Sequence, residues 1–241
     1  MQHNDGVEER LNLQSTKSEA WAPSLRFVDS QTAVLAVPNV AASDVTDVAA
    51  HRLILEAIQK GASRMILDLR FADGGSPFAA VKIAGAFMDV AGRVYRDKQG
   101  QTITYRYSKG ISTYESSAQP GQKSEIPFKG SVAFWDKPLR VLINANTFSG
   151  LENIAAMLRH AKRTRLVGQA SRGGGGVTAN TVSLSSGTQL SVSTHRQNEL
   201  DGEVATLKLL PDVEIPLRAS ELAQGRDEQL EAAIVDFQRS P

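Results

Sequence analysis

Ser149 is the residue of this chain best placed to do chemistry. It lies in Val141-Leu-Ile-Asn-Ala-Asn-Thr-Phe-Ser-Gly-Leu-Glu152, after an apolar run and before a segment with helical spacing. A serine at such a strand-to-helix turn carries its hydroxyl at the carboxyl edge of a sheet, where open α/β folds place their sites. The free N–H groups of the first helical turn point at the same spot. The helix dipole adds a positive end that stabilises a developing oxyanion. This is the equipment of a nucleophile for acyl transfer, although an ordinary N-cap serine fits the same position.

A nucleophile of this kind needs partners. Glu152, one turn on, can orient the turn or hold the helix N-terminus electrostatically. Gly74 and Gly75 close Phe71-Ala-Asp-Gly-Gly75, the equivalent strand-to-helix position one unit earlier. Adjacent glycines let backbone N–H groups approach a ligand, and they also suit a plain tight turn. A base is harder to find. His160 lies toward the far end of the helix that Ser149 starts, and His51 is in the middle of an earlier helix. His195, at the end of a predicted strand, is the histidine with an approach to Ser149; a half-exposed strand residue is the plainer account of it. Asp68, in a buried strand, needs Arg70 or a backbone N–H as its partner. The Gly173–Gly176 loop lacks the following Lys-Ser/Thr of a phosphate loop, so a nucleotide site is not expected.

These residues require a particular frame. Thr32-Ala-Val-Leu-Ala-Val-Pro38, Arg64-Met-Ile-Leu-Asp-Leu-Arg70 and Leu139-Arg-Val-Leu-Ile-Asn-Ala145 are near-continuous apolar runs, as buried parallel strands are. Between the first two, Ser43-Asp-Val-Thr predicts an N-cap, and Val45, Val48, Leu53, Ile54 and Ile58 a helical stripe stopped by Gly61. Ser76-Pro77 suits the cap and first position of a second helix. Residues 96–130 predict a short edge hairpin and a long loop. A helix over about 150–161, a strand at Arg165–Gly168 and a hairpin over Val177–Thr194 turning at Ser185-Ser-Gly187 follow. A last strand at Pro211–Ile215 and an amphipathic helix over Asp227–Phe237 end the pattern. Residues 1–22 read as a weakly structured lead-in and 23–241 as one core domain, with Glu9–Ser15 resembling the final strand of an upstream unit.

Bulk properties exclude several classes. The 241 residues carry 27 Lys and Arg against 26 Asp and Glu, a net charge of +1, so nothing general attracts nucleic acid or an acidic membrane face. The densest cations, Arg159 to Arg165, read as a solvated helix end. With no cysteine, thiol catalysis, disulfides and thiolate metal sites are excluded. The four histidines show no His-x-x-x-His pair, so no metal site is expected and no cofactor is called for. No apolar run approaches the roughly 20 residues of a membrane span. The polar N-terminus lacks a signal core; the chain is expected in the cytoplasm, or outside it (periplasmic or secreted) if trimmed.

The motifs together resemble the C-terminal processing peptidases and their tricorn-core and retinoid-binding-protein-like relatives. Arg64–Gly75 resembles the Asp-Leu-Arg-x-Asn-x-Gly-Gly signature of that superfamily. Asn144–Glu152 is similar to its Thr-Phe-Ser-x-x-Glu nucleophile segment, and Arg163–Gln169 to its Arg-Ala-x-Val-Gly-Glu strand. Leu210–Pro216 and Gly225–Ala233 resemble the closing blocks. The resemblance implies a crotonase-like α/β core of repeated βα units with a β-hairpin insertion and a C-terminal helix. It implies a serine endopeptidase working through an acyl-enzyme on Ser149, with the N–H of Gly150 and of Gly74 or Gly75 as oxyanion hole. Its substrates would be unfolded or C-terminal peptide segments of proteins.

Three departures bear on activity. The lysine of the Ser-Lys branch aligns with Gly174, and Arg172 cannot act as a base. The histidine base of the tricorn-like branch comes from an upstream segment, so the base is expected from outside this chain. Glu203 is the nearest match to that branch's remote glutamate, and Ala72 replaces the signature asparagine. The alternative is an inactive peptidase-like module that binds peptide or an apolar ligand. A crotonase-type thioester enzyme would need a CoA site, for which no adenine or phosphate signal appears.

Overall fold

An apolar run buried on both faces belongs inside a sheet, and the chain places four such runs side by side. The computed structural model describes residues 22–40, 43–70, 74–174, 179–206 and 208–238. The chain enters through β1 (Ser24–Phe27) and returns as β2 (Thr32–Ala36), the turn closed by Asp29, whose carboxylate accepts the N–H groups of Gln31 and Thr32. Then come α1 (Thr46–Gln59), β3 (Arg64–Asp68) and α2 (Pro77–Ala84). A meander of β4 (Ala91–Asp97), β5 (Thr102–Ser108), β6 (Ile111–Ser116) and β7 (Lys123–Pro127) follows. The chain returns through β8 (Leu139–Ile143), α3 (Gly150–His160) and β9 (Arg165–Gly168). The hairpin β10 (Ala179–Ser183) and β11 (Gln189–Ser193) leads to β12 (His195–Asn198) and β13 (Val213–Glu214), and α4 (Ala219–Ala223) and α5 (Glu228–Asp236) close the described chain.

The main sheet has the order β1-β2-β3-β8-β9-β13, parallel except for β1. Its period-2 alternation sorts side chains into two cores. Ala33, Leu35, Met65, Leu67, Val141, Ile143 and Leu166 face the large core under α1, α2 and α3. Val34, Ile66, Leu142 and Val167 face the other way, onto Leu230 and Ala233 of α5. Helices α1 and α3 each deliver the next strand beside the previous one, while α2 leads into the meander before the chain returns as β8 beside β3, with the strand ends and helix starts gathered on one edge of the sheet.

Several expectations are corrected. Residues 96–130 are mostly strand: β4 to β7 and β12 make a five-stranded antiparallel sheet, order β12-β4-β5-β6-β7. Its strands are polar on their exposed face, and its aromatics (Tyr95, Tyr105, Tyr114) stack across strands, where composition alone reads as loop. Ser43 does not cap α1, which starts at Thr46 with no side-chain cap; Ser43 and Asp44 instead bind the Lys82 ammonium. Arg163 is not simply solvated, since it donates to the carbonyls of Phe87, Trp135 and Lys137. Gly61, at φ 79°, does end α1, and Ser76 does cap α2 by accepting the Ala79 N–H. The lead-in over 1–22, with its strand at Glu9–Ser15, lies outside the described residues except for Ala22. No helix among the described residues is long and apolar enough to cross a membrane.

Charge fastens α5 to the sheet. Arg70, at the end of β3, donates to both Asp68 oxygens (2.9 and 2.7 Å) and both Asp227 oxygens (2.8 and 2.7 Å). Asp227 also caps α5 by accepting the Leu230 N–H. At the other end of α5, Asp236 accepts from Arg140 (2.6 Å) and Arg165 (2.5 Å). Replacing Arg70 by Leu leaves two carboxylates facing each other without their cation. We expect a loss of about 3–5 kcal/mol, the usual cost of removing one partner of a buried pair, read as a shift of the urea midpoint. An unchanged midpoint would mean that the clamp carries no net stability.

Candidate active site

The turn after β8 is built by side chains. The Asn144 carboxamide oxygen accepts the Asn146 N–H (2.8 Å), and the Asn144 N–H donates to Thr147 Oγ1 (2.9 Å). The buried Thr147 hydroxyl donates to the Leu69 carbonyl (2.8 Å), which ties this turn to the end of β3. The turn delivers Ser149 as the residue preceding α3, at φ 55° and ψ −115°. A non-glycine residue with this backbone costs on the order of 1–3 kcal/mol and persists only where its surroundings hold it. It also turns the side chain out of the line of the strand, toward the start of the helix.

Glu152 does the holding. Its side chain is buried, and one oxygen accepts the Ser149 N–H (2.9 Å). The other accepts the Ser171 hydroxyl (2.5 Å) and the Gly173 N–H (2.8 Å). Ser171 accepts in turn the Leu209 N–H (2.9 Å) and donates its own N–H to the Leu209 carbonyl. One carboxylate thus joins the Ser149 turn, the loop after β9 and the segment leading to β13. Ser171 escaped sequence inspection because nothing local marks it; its partners lie 19 and 38 positions away.

Opposite Ser149 stands the glycine pair. A side chain on Gly74 would begin 2.6 Å from Ser149 Oγ and 2.7 Å from the Gly150 nitrogen, so only glycine lets the loop come this close. The Gly74 carbonyl is used by the Val40 N–H (3.1 Å), and Ser76 donates to the Val40 carbonyl (2.7 Å), which fixes the loop as a short extension of the sheet. The Gly75 nitrogen lies 3.5 Å from where a side chain on Gly150 would begin. Neither the Gly75 nor the Gly150 N–H has an acceptor among the described residues. Two open donors beside a serine hydroxyl can hold the oxygen of a carbonyl adding to that hydroxyl. Ala72 lies outside the described residues.

The described histidines all have hydrogen-bond partners other than Ser149. His51 is fully buried in α1; its Nδ1 accepts the Ala133 N–H (3.0 Å), so its Nε2 donates to the Lys82 carbonyl (3.0 Å). His160 sits at the C-terminal end of α3 and binds Asp201 (2.6 Å). His195 opens β12 across from Asp97 and shares a hydrogen bond with Thr194 (2.9 Å). Glu203 lies beside His160, with 3.9 Å between Nδ1 and Oε2, a helix length from Ser149 rather than at it. Lys82 is engaged with Asp44 and Asp47, and burial works against its charge less than those carboxylates support it, so its pKa is raised. Gly174 stands against the Phe148 ring, over which the Arg172 guanidinium stacks at 5.0 Å. Among the described residues no histidine or lysine side chain hydrogen-bonds Ser149. The expectation of no metal site rested on His–His spacing; the fold brings one histidine to two carboxylates, His160 with Asp201 and Glu203, away from Ser149.

Comparison with known proteins adds a family. The model described as Peptidase family S41 matches residues 31–215, which include every candidate site residue. A carboxyl-terminal-processing protease of Picosynechococcus sp. is 30% identical over 165 residues, covering 67% of this chain and 34% of that protein. One of Synechocystis sp. is 30% identical over 181 residues, covering 73% and 37%. The chain therefore spans about a third of the length of these curated relatives. Among solved structures, a candidate peptidase from Parabacteroides merdae superposes with a TM-score of 0.63 at 18% identity, over 89% of this chain and 64% of that one, a likeness of fold.

Removing the Glu152 carboxylate should release the strained Ser149 turn and the Gly173 loop. In Glu152→Ala three donors lose a charged acceptor, and we expect about 3 kcal/mol of destabilisation with faster amide exchange at Ser149 and Gly173. Unchanged exchange at those two amides would contradict the role assigned to Glu152. Burial pushes the His51 pKa below its usual 6.5. The unfolded chain then takes up the proton more readily, so stability is full above about pH 6.5 and falls as the pH drops below that value. His51→Gln, which keeps an acceptor for Ala133, should flatten this part of the stability profile; an identical slope in both proteins would refute it.

Proposed function

The chain belongs to peptidase family S41, and from that premise we propose that it is a serine endopeptidase core with Ser149 as nucleophile. The observation that carries the proposal is the close approach of Gly74 to Ser149, where a side chain on Gly74 would begin 2.6 Å from Oγ, while the Gly75 and Gly150 N–H groups have no acceptor among the described residues. In this reading Ser149 Oγ attacks the carbonyl carbon of a peptide bond. The carbonyl oxygen, now carrying the negative charge, accepts from Gly75 and Gly150, with Gly74 shaping the pocket. The tetrahedral adduct collapses with departure of the amine, which takes a proton, and leaves an acyl ester on Ser149. Water then hydrolyses the ester and returns the proton to Ser149.

Glu152 acts on the turn. Its carboxylate is saturated by three donors and holds Ser149 in its strained backbone, which makes it a positioning residue. In this reading the base that carries the proton between serine and leaving amine is supplied from outside this chain: by the resemblance Gly174 stands where the Ser-Lys branch has its lysine, and His195 and Glu203 lie beside other partners. Low turnover by this chain alone follows. The substrates are unfolded or C-terminal segments of proteins, in keeping with the curated relatives, which are carboxyl-terminal-processing proteases. We also take residues 23–241 as one core with a crotonase-like succession of βα units, a reading supported by the crossover order β2-α1-β3 and β8-α3-β9.

A fluorophosphonate probe tests the site without requiring turnover. It should label the chain at Ser149 and fail to label Ser149→Ala. Gly74→Ala should label roughly 10²-fold more slowly, because the added methyl displaces the oxyanion loop. No labelling of the parent chain would sink the nucleophile and leave a peptide-binding module. Rapid, Ser149-dependent cleavage of unfolded casein would instead overturn the external base.

A further inference from the structure

The end of α3 opposite Ser149 carries ligands that the proposed peptidase chemistry does not use. His160 closes the helix, and Asp201 and Glu203 come from the turn after β12. One atom from each, an imidazole nitrogen and two carboxylate oxygens, lie within 4.8 Å of one another. His160 Nε2 is 2.6 Å from Asp201 Oδ2, and its Nδ1 is 3.9 Å from Glu203 Oε2. The Asp201 carboxylate is anchored from below by the Glu203 N–H (3.0 Å), so the two acids are held in a fixed relation. All three side chains reach solvent.

Two independent features favour a cation here. The first is space: a cavity of about 430 Å³ opens beside the group, walled by His160 and Glu203 together with Ala156 and Leu209. The second is that the nearby arginines are already committed. Arg93 is paired with Glu199, and Arg159 donates to Asp212 and the Leu210 carbonyl, so neither arginine neutralises the two acids, and Lys208 is the remaining cation on the cavity wall. The negative end of the α3 dipole adds to the attraction.

We propose that His160, Asp201 and Glu203 form a binding site for a divalent transition-metal ion, Zn²⁺ by its ligand chemistry. One imidazole with two carboxylates is a nitrogen and oxygen set that suits zinc, whereas Ca²⁺ and Mg²⁺ take oxygen ligands. Ligands about 2.1 Å from a tetrahedral ion stand roughly 3.4 Å apart, a small adjustment for exposed side chains, and water from the cavity completes the shell. The ion would pin the 199–204 turn to α3. From that turn the chain runs to Leu209, whose N–H reaches Ser171 and through it Glu152. The metal would therefore brace the Ser149 turn from the far end of the same helix.

The site is tested by binding, so its failure is distinct from failure of the peptidase reading. Titration calorimetry of the full chain with Zn²⁺ should give one micromolar site. His160→Ala and Asp201→Asn should each weaken it at least tenfold; both residues are exposed, and unchanged circular dichroism confirms folding. Co²⁺ should produce visible absorption bands in the parent chain that His160→Ala lacks. Zn²⁺ should also slow amide exchange at Leu209 in the parent chain only. Equal zinc affinity in the parent and His160→Ala, or no binding by the parent chain, overturns the proposal.

Discussion

A carboxylate taken out of water must be compensated by donors, and in this protein Glu152 finds all of its donors in segments that would otherwise be free. The N–H of Ser149, the hydroxyl of Ser171 and the N–H of Gly173 converge on it. Ser149 can stand at a positive φ because its N–H is held, and Gly173 is placed because its N–H is held. Remove the charge and each donor is left buried or re-solvated, at a cost comparable to the strain being contained. The geometry around the serine hydroxyl is thus an electrostatic arrangement more than a packing one.

Packing decides where that arrangement sits. The parallel strands alternate their side chains between the core under α1 to α3 and the core under α5, so neither face of the sheet is left open. Thr147 bonds the end of β8 to the end of β3 through the Leu69 carbonyl, and Val40 bonds the glycine loop to the sheet. The Arg70 guanidinium, shared between Asp68 and Asp227, stiffens the strand from which that loop departs. The serine turn and the glycine loop meet because two neighbouring strands end at the same level.

Much of this frame is legible along the chain. Apolar runs mark β2, β3, β8 and β9; Ser76-Pro77 marks the start of α2; the Ser185–Gly187 turn marks the β10–β11 hairpin. Asp68 demands a partner, and Arg70 is one of the two candidates that local chemistry offers. What the pattern conceals is structure made by polar residues. The meander over β4 to β7 hides because strands with one wet face and a Ser, Gly and Gln content resemble loop. Ser43 hides its role for a related reason: a residue type that caps helices can equally bind a lysine 39 positions away.

The sequence by itself determined the βα order, the family membership and the placement of Ser149 at a strand-to-helix turn, because periodicity, capping chemistry and short motifs are local. Tertiary structure alone decided what surrounds that serine. It brought Ser171 and Gly173 to Glu152, set Gly74 against the hydroxyl, carried His195 and Glu203 to other sites, and joined His160 to Asp201. Those relations run between residues far apart in the chain, and their energies depend on distance and burial, which no spacing along a sequence encodes.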